Sequence, residues 1–383
     1  MIYPNNISSK LPKTGTSIFA IMSELSNQHN AINLSQGFPD FMCSKKLIDL
    51  VTKHMRKGNN QYAPMPGVLA LREGIAEKTK ELYNTEYDPI SEITITAGAT
   101  QAIYTAIASI IKEGDEVIVF EPAYDCYVPA ILLNGGIPVH VEMKTPEYKI
   151  NWDEVKKLIN HSTRMIIINS PHNPTGSTID AEDIKQLEKI TTNSDIIILS
   201  DEVYDHIIFD NLKHESIASY PSLANHSFVI GSFGKLFHNT GWKIGFCLAP
   251  EKLMQEFRKT HQFIVFTCNT PIQYAMAEYL KEKSYLELGN FYQSKRDYFN
   301  DLLKPSRFTY TPASGTYFQL LNYSRISDEK ETDFAVRLIK EYGISSIPIS
   351  AFYHKEIDNK VLRFCFAKSE QTLEKAAEKL CKI

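Results

Sequence analysis

Paired cysteines are missing from this 383-residue chain. Its six cysteines, Cys43, Cys126, Cys247, Cys268, Cys365 and Cys381, lie far apart, and no two form a Cys-x-x-Cys pair. That spacing excludes a zinc ribbon and a disulfide framework, and it suits a reducing compartment. Long apolar runs are missing too. Met165–Ile168 and Ile196–Leu199 are four residues each, where a membrane span needs about 20. Met1–Lys10 offers no apolar stretch for a secretory signal, so a cytoplasmic protein without membrane attachment is expected. Charge of one sign is scarce: 41 basic against 45 acidic side chains leave a net −4, which gives no basis for binding nucleic acid. No G-x-S-x-G elbow surrounds Ser232, and neither H-E-x-x-H nor clustered Cys/His is present, so no metal is expected.

What is there suits a large soluble core. Apolar residues make up 43% and charged residues 22%, and the length allows two domains. Short segments rich in apolar and β-branched residues recur at Glu92–Thr96, Glu116–Phe120, Ile137–Val141, Met165–Asn169, Ile196–Ser200, Phe228–Ile230 and Ile244–Leu248. Between several of them lie helical patterns, such as Gln101–Ile111, Trp152–Ile159 and Ala181–Thr191. Alternation of this kind predicts an α/β fold: a mostly parallel seven-stranded sheet sandwiched by helices. From about 284 the pattern changes to α+β, with a helix through Arg296, strands at Thr316–Leu321 and Val361–Phe366, and a helix at Asp333–Tyr342 between them. Residues 47–283 are therefore expected to form a large domain. Residues 1–46 together with 284–383 are expected to form a smaller one.

Ligands of open α/β sheets bind beyond the carboxyl ends of the strands. Four such ends carry chemistry here. Thr96 opens into Ala97-Gly98-Ala99-Thr100 and a helix, whose N-terminal amides suit a phosphate. Asn169 leads to Asn173-Pro174-Thr175-Gly176, Ser200 leads to Asp201-Glu202-Val203-Tyr204, and Ile230 leads to Ser232-Phe233-Gly234-Lys235. Strand-to-helix turns are commonly rich in Gly, Asn, Asp, Pro and Ser, so no one of these turns is diagnostic. Their combination supplies a phosphate nest, an amide, a carboxylate with a phenol, and an amine able to form a Schiff base.

These segments, with Gly241-Trp242-Lys243-Ile244-Gly245 and Leu362-Arg363-Phe364, resemble the fold-type I pyridoxal-phosphate (PLP) aminotransferases of class I/II. The spacings agree with that family: 28 residues from Asn173 to Asp201, 34 on to Lys235, 8 to Lys243, and 128 from Lys235 to Arg363. Ser35–Phe41, Gln61–Pro64 and Glu121–Tyr127 look most like its bacterial methionine and kynurenine–glutamine branch. The resemblance implies that Lys235 binds PLP covalently and carries the substrate proton. It implies that Asp201 pairs with the ring nitrogen, that Asn173 and Tyr204 hydrogen-bond the ring oxygen, and that Tyr124 stacks on the ring. Ser232, Lys243 and the backbone of Ala99 and Thr100 would hold the phosphate. Lys243 departs from the arginine of the aspartate branch, and a lysine lacks the bidentate fork. Arg363 would clamp the substrate carboxylate, with the backbone of Gly37 against the substrate. Tyr62 would reach the phosphate of a second subunit, which implies a homodimer with shared sites.

No arginine aligns with the dicarboxylate-binding position of aspartate aminotransferases. Phe19, Phe38 and Phe266 align instead with an apolar side-chain pocket, which favours methionine or large apolar and aromatic donors and a 2-oxo acid acceptor in a ping-pong reaction. A cysteine-conjugate β-lyase or another PLP lyase on the same fold is the alternative. A transcription-regulator effector domain is disfavoured, because the fold begins within the first 20 residues.

Overall fold

The computed structural model describes residues 6–383, so the first five residues of the expected 1–46 segment lie outside it. In chain order its strands are β1 (Ile32–Asn33), β2 (Ile93–Thr96), β3 (Glu116–Glu121), β4 (Ile137–Glu142), β5 (Thr163–Asn169) and β6 (Ile197–Asp201). Then come β7 (Ser227–Ser232), β8 (Gly245–Leu248), β9 (Phe318–Asn322), β10 (Ile344–Ser345), β11 (Ile347–Pro348) and β12 (Val361–Cys365).

Seven strands form one sheet in the order β2-β8-β7-β6-β5-β3-β4. All neighbours are parallel except β8, which runs against both β7 and β2. The apolar runs are buried on both faces because alternate side chains enter different cores. Ile166, Ile168 and Ile198 join one core with Val155, Ile184 and Leu187 of helices Trp152–Leu158 and Ala181–Thr191. Met165, Ile167, Ile197 and Leu199 join the other, with Ile103 and Ile107 of helix Ala99–Ile110 and Phe257 of helix Glu251–Ile264. This is a sheet covered by helices on both faces, as the alternating pattern predicts.

The parallel strands β3, β5, β6 and β7 bring their carboxyl ends to one edge. Asn169 lies beside Asp201, and Asp201 beside Ile230. In the C-terminal third, β11, β12 and β9 form an antiparallel sheet with β12 central. The two residues of β1 pair in parallel with β10, tying the N-terminal arm to this region. Two boundaries differ from expectation for identifiable reasons. Thr316 has φ +64°, a left-handed conformation that no strand accepts, so β9 starts at Phe318. The helix expected at Asp333–Tyr342 begins at Glu331, changes to a wider π turn over Leu338–Tyr342, and stops at Gly343 with φ +66°.

Candidate active site

The strand ends build a pocket from buried polar groups that satisfy one another. Asn169, at the end of β5, donates from Nδ2 to the backbone oxygen of Asp201 at 2.9 Å. Its Oδ1 accepts the amide of Asn173 at 2.8 Å, which fixes the loop carrying Asn173. Asp201, at the end of β6, is buried, and the hydroxyl of Tyr127 donates to its Oδ2 at 2.6 Å. Burial raises its carboxyl from 3.8 to about 6, against the opposing pull of that hydrogen bond.

β7 ends at Ser232, and the chain turns at once into the four-residue helix Phe233–Leu236, which presents Lys235. Its amine donates to the Tyr317 hydroxyl at 2.7 Å and lies 3.3 Å from the backbone oxygen of Gly37. It sits over the rings of Tyr204 and Tyr317, 5.3 and 5.2 Å from their centroids. Burial lowers its value from 10.5 to about 8. An amine with that value is partly neutral near pH 8, and only the neutral form is a nucleophile or base.

Helix Ala99–Ile110 points its N-terminus into the same cavity. The preceding Gly98 has φ +80°, and a Cβ there would lie 3.3 Å from Cε and Nζ of Lys243. Lys243 itself is left-handed, at φ +55°. The backbone therefore brings an ammonium against a helix start that a side chain would obstruct, with the Ser232 hydroxyl on the same wall. That cradle has the charge and the open amides a phosphate needs. The cavity encloses about 660 Å³, including its open mouth. Ala99, Thr100, Tyr124, Asn173, Asp201, Tyr204, Ser232, Lys235 and Lys243 all line it. A PLP-sized ring with an anionic phosphate fits this donor set.

Arg363 lies just behind Asn173. It is almost fully buried in the central strand β12, between Leu320 of β9 and Ile347 of β11. Nη1 donates to Asn173 Oδ1 at 2.7 Å and Nη2 to the backbone oxygen of Ser35 at 2.9 Å. Its Nε has no partner, and its hydrogen bonds go to an amide and a backbone oxygen rather than to a carboxylate. The guanidinium lies 3.9 Å over the Phe318 ring and 5.2 Å from that of Phe19. A buried guanidinium without a counter-ion is costly, and burial lowers it to about 10. An arriving carboxylate would remove that cost.

The remaining expected residues do not line the cavity. Gly37 borders the site through its backbone oxygen, which takes the Tyr317 hydroxyl at 2.5 Å. Phe38 is half-exposed, with the Lys368 ammonium 4.7 Å over its ring. Tyr62 is 80% exposed and meets the half-exposed Phe266 edge-on at 5.3 Å. Tyr127, Tyr317 and Asn169 are site residues that the sequence reading missed. Tyr127 could have been found from its place three residues after Tyr124, one turn later at the start of helix Tyr127–Leu133. Tyr317 carries no local signal.

The family described as aminotransferase class I and II matches residues 29–380. A methionine aminotransferase of Escherichia coli is 45% identical over 97% of both chains. A kynurenine–oxoglutarate transaminase of Dictyostelium discoideum is 34% identical over 100% of this chain and 98% of that one. Among solved structures, an E. coli protein with a methionine aminotransferase function superposes at TM-score 0.97. It is 44% identical, over 99% of this chain and 100% of that one.

Proposed function

The chain belongs to the class I and II aminotransferases, and from that membership we propose which residues carry the reaction and which donor it takes. It is a PLP-dependent enzyme that moves an amino group from an amino acid to a 2-oxo acid. The relatives named above are aminotransferases, so the lyase alternative gains no support from them.

PLP, when bound, supplies an electron-accepting ring conjugated to the substrate α-carbon. Lys235 would hold it, and the partly neutral amine of this residue would be the base for the substrate α-proton. The Tyr317 hydroxyl and the Gly37 carbonyl use two amine positions, which leaves a lone pair for that proton. Asp201 would hold the ring nitrogen in its protonated form, and Tyr127 donates to this carboxylate and keeps it oriented. Asn173 and Tyr204 would bind the ring oxygen, and Tyr124 would stack on the ring. Ala99, Thr100, Ser232 and Lys243 hold the phosphate. Arg363 takes the substrate carboxylate with its planar fork, and its bond to Asn173 couples that clamp to the ring oxygen.

The preferred donor is methionine or a comparably large apolar or aromatic amino acid, selected by Phe19 and Phe38 and, from the neighbouring subunit, by Phe266. Tyr62 and Phe266 are proposed to lie at a homodimer interface, where Tyr62 completes the partner's phosphate site. Their large exposure in the single chain supports that reading. Residues 47–283 are proposed as the large domain, and 1–46 with 284–383 as the small one, whose two segments pair through β1 and β10. Six unpaired cysteines favour the cytoplasm.

The observation that carries the functional reading is the cavity holding the Lys235 amine, the Asp201 carboxylate and the Lys243–Gly98 cradle together. A donor panel with one fixed 2-oxo acid tests the substrate assignment. Methionine and phenylalanine should turn over far faster than aspartate, and the reverse order would overturn it.

A further inference from the structure

Outside the active site, three side chains far apart in sequence converge on one point. Glu121 ends β3, His140 lies on β4, and His354 follows the short helix Ile349–Phe352. His140 Nδ1 lies 2.8 Å from Glu121 Oε1, and His354 Nδ1 lies 2.6 Å from Oε2. The two imidazoles stack 3.8 Å apart at 15°, so both Nδ1 atoms face the same carboxylate. Glu121 is buried, whereas the side chains of His140 and His354 are 14% and 36% exposed, so the cluster opens to solvent on the histidine side.

Hydrogen bonding accounts for only part of this. The His354 amide and ring both donate to Glu121, at 2.9 and 2.6 Å. The Nδ1 of His140 is buried and, among the described residues, has no hydrogen bond of acceptable geometry, although it lies so close to the carboxylate. Protonating both rings would place two cations face to face. A divalent ion between the nitrogens and the carboxylate meets each difficulty: it uses the His140 lone pair and supplies one compact charge for Glu121. All three ligand atoms lie within 4.8 Å of one another. Ligands at about 2.0–2.2 Å around one tetrahedral zinc stand about 3.4 Å apart. Binding therefore spreads the nitrogens from the carboxylate by about half to one ångström, a movement the partly exposed His354 can take up.

We propose that Glu121, His140 and His354 form a binding site for a divalent transition-metal ion of the zinc class, separate from the PLP pocket. Two imidazoles and one carboxylate suit Zn²⁺, Co²⁺, Ni²⁺ or Cu²⁺ rather than Mg²⁺ or Ca²⁺. The site joins three parts of the active-site frame. Glu121 lies three residues before Tyr124, the amide of Ala123 donates to the Phe352 oxygen at 2.8 Å, and the segment after His354 runs into β12 with Arg363. An occupied site would fasten the arginine-bearing strand to the loop that covers the ring.

The test uses PLP-loaded protein freed of metal by a chelator, titrated calorimetrically with Zn²⁺ and spectroscopically with Co²⁺. The wild type should bind one ion per chain, with visible Co²⁺ bands. His140→Ala and His354→Ala should each lose at least about tenfold in affinity, while keeping the circular dichroism of the folded metal-free protein. His54→Ala, which removes a histidine elsewhere, should leave the affinity as in wild type. If wild type shows no Zn²⁺ binding at about 0.1 mM, or if His354→Ala and His140→Ala bind as tightly as wild type, the assignment is overturned.

Discussion

The amine of Lys235 donates to the hydroxyl of Tyr317 at 2.7 Å, and that hydroxyl in turn donates to the carbonyl of Gly37 at 2.5 Å. Lysine, phenol and the Gly37 backbone thus form one chain, which fixes the direction of the amine lone pair. Tyr317→Phe keeps the ring packing and removes the link. It should lower kcat about 10–100-fold, the worth of one hydrogen bond to a charged or reacting group, with KM changed less than about threefold. The pH titration of the bound-cofactor absorbance should shift as well. An unshifted titration with unchanged kcat would make Tyr317 a packing residue only.

Asp201 gives a pH dependence with a defined sign. Burial sets its folded value at about 6, above the ordinary 3.8. A carboxyl raised in this way binds more protons in the fold than in the unfolded chain. Its contribution to the stability of the cofactor-free protein is therefore full below about 4 and declines as pH rises through about 6. A cationic ring nitrogen reverses the preference, because it needs the carboxylate ionised. The rise in melting temperature on adding PLP should then shrink as pH falls through about 6. Asp201→Asn should show a smaller rise without this loss, and the difference between the two proteins separates Asp201 from the titrating phosphate.

Gly98→Ala should weaken PLP binding at least about tenfold, measured by cofactor absorbance at equilibrium. The new methyl meets Lys243 at 3.3 Å, and φ +80° with ψ 170° is unfavourable for alanine by about 1–3 kcal/mol. The fold should survive, since the substitution lies at a helix start facing the cavity.

Arg363→Lys keeps the charge and loses the fork. KM for the amino donor should rise by about 100-fold, with the cofactor spectrum unchanged before substrate is added. A spectrum already altered in the resting enzyme would mean that Arg363 acts through Asn173 on the ring rather than on the substrate.

The parts of this architecture visible in the sequence are those encoded locally. Met165–Asn169 and Ile196–Ser200 read as buried strands because apolar residues fill both faces, and the polar groups at their ends follow from the parallel topology. Asp201, Asn173 and Lys235 were legible for the same reason. Tyr317 was not, because its contact to Lys235 closes across 82 residues from a strand-like segment. The β1–β10 pair is two residues long and joins Ile32 to Ile344, which no periodicity can reveal. The Glu121–His140–His354 cluster likewise leaves no spacing motif, since β3, β4 and the loop after Phe352 assemble it only in three dimensions.

Reduction of the PLP-loaded protein with borohydride, followed by peptide mass mapping, tests the central assignment most directly. A phosphopyridoxyl group should be found on Lys235 at about one per chain, and Lys235→Ala should carry none while still presenting the folded cavity. A tag on another lysine, or none on a protein that has bound the cofactor, would contradict the placement of Lys235 at the centre of the reaction.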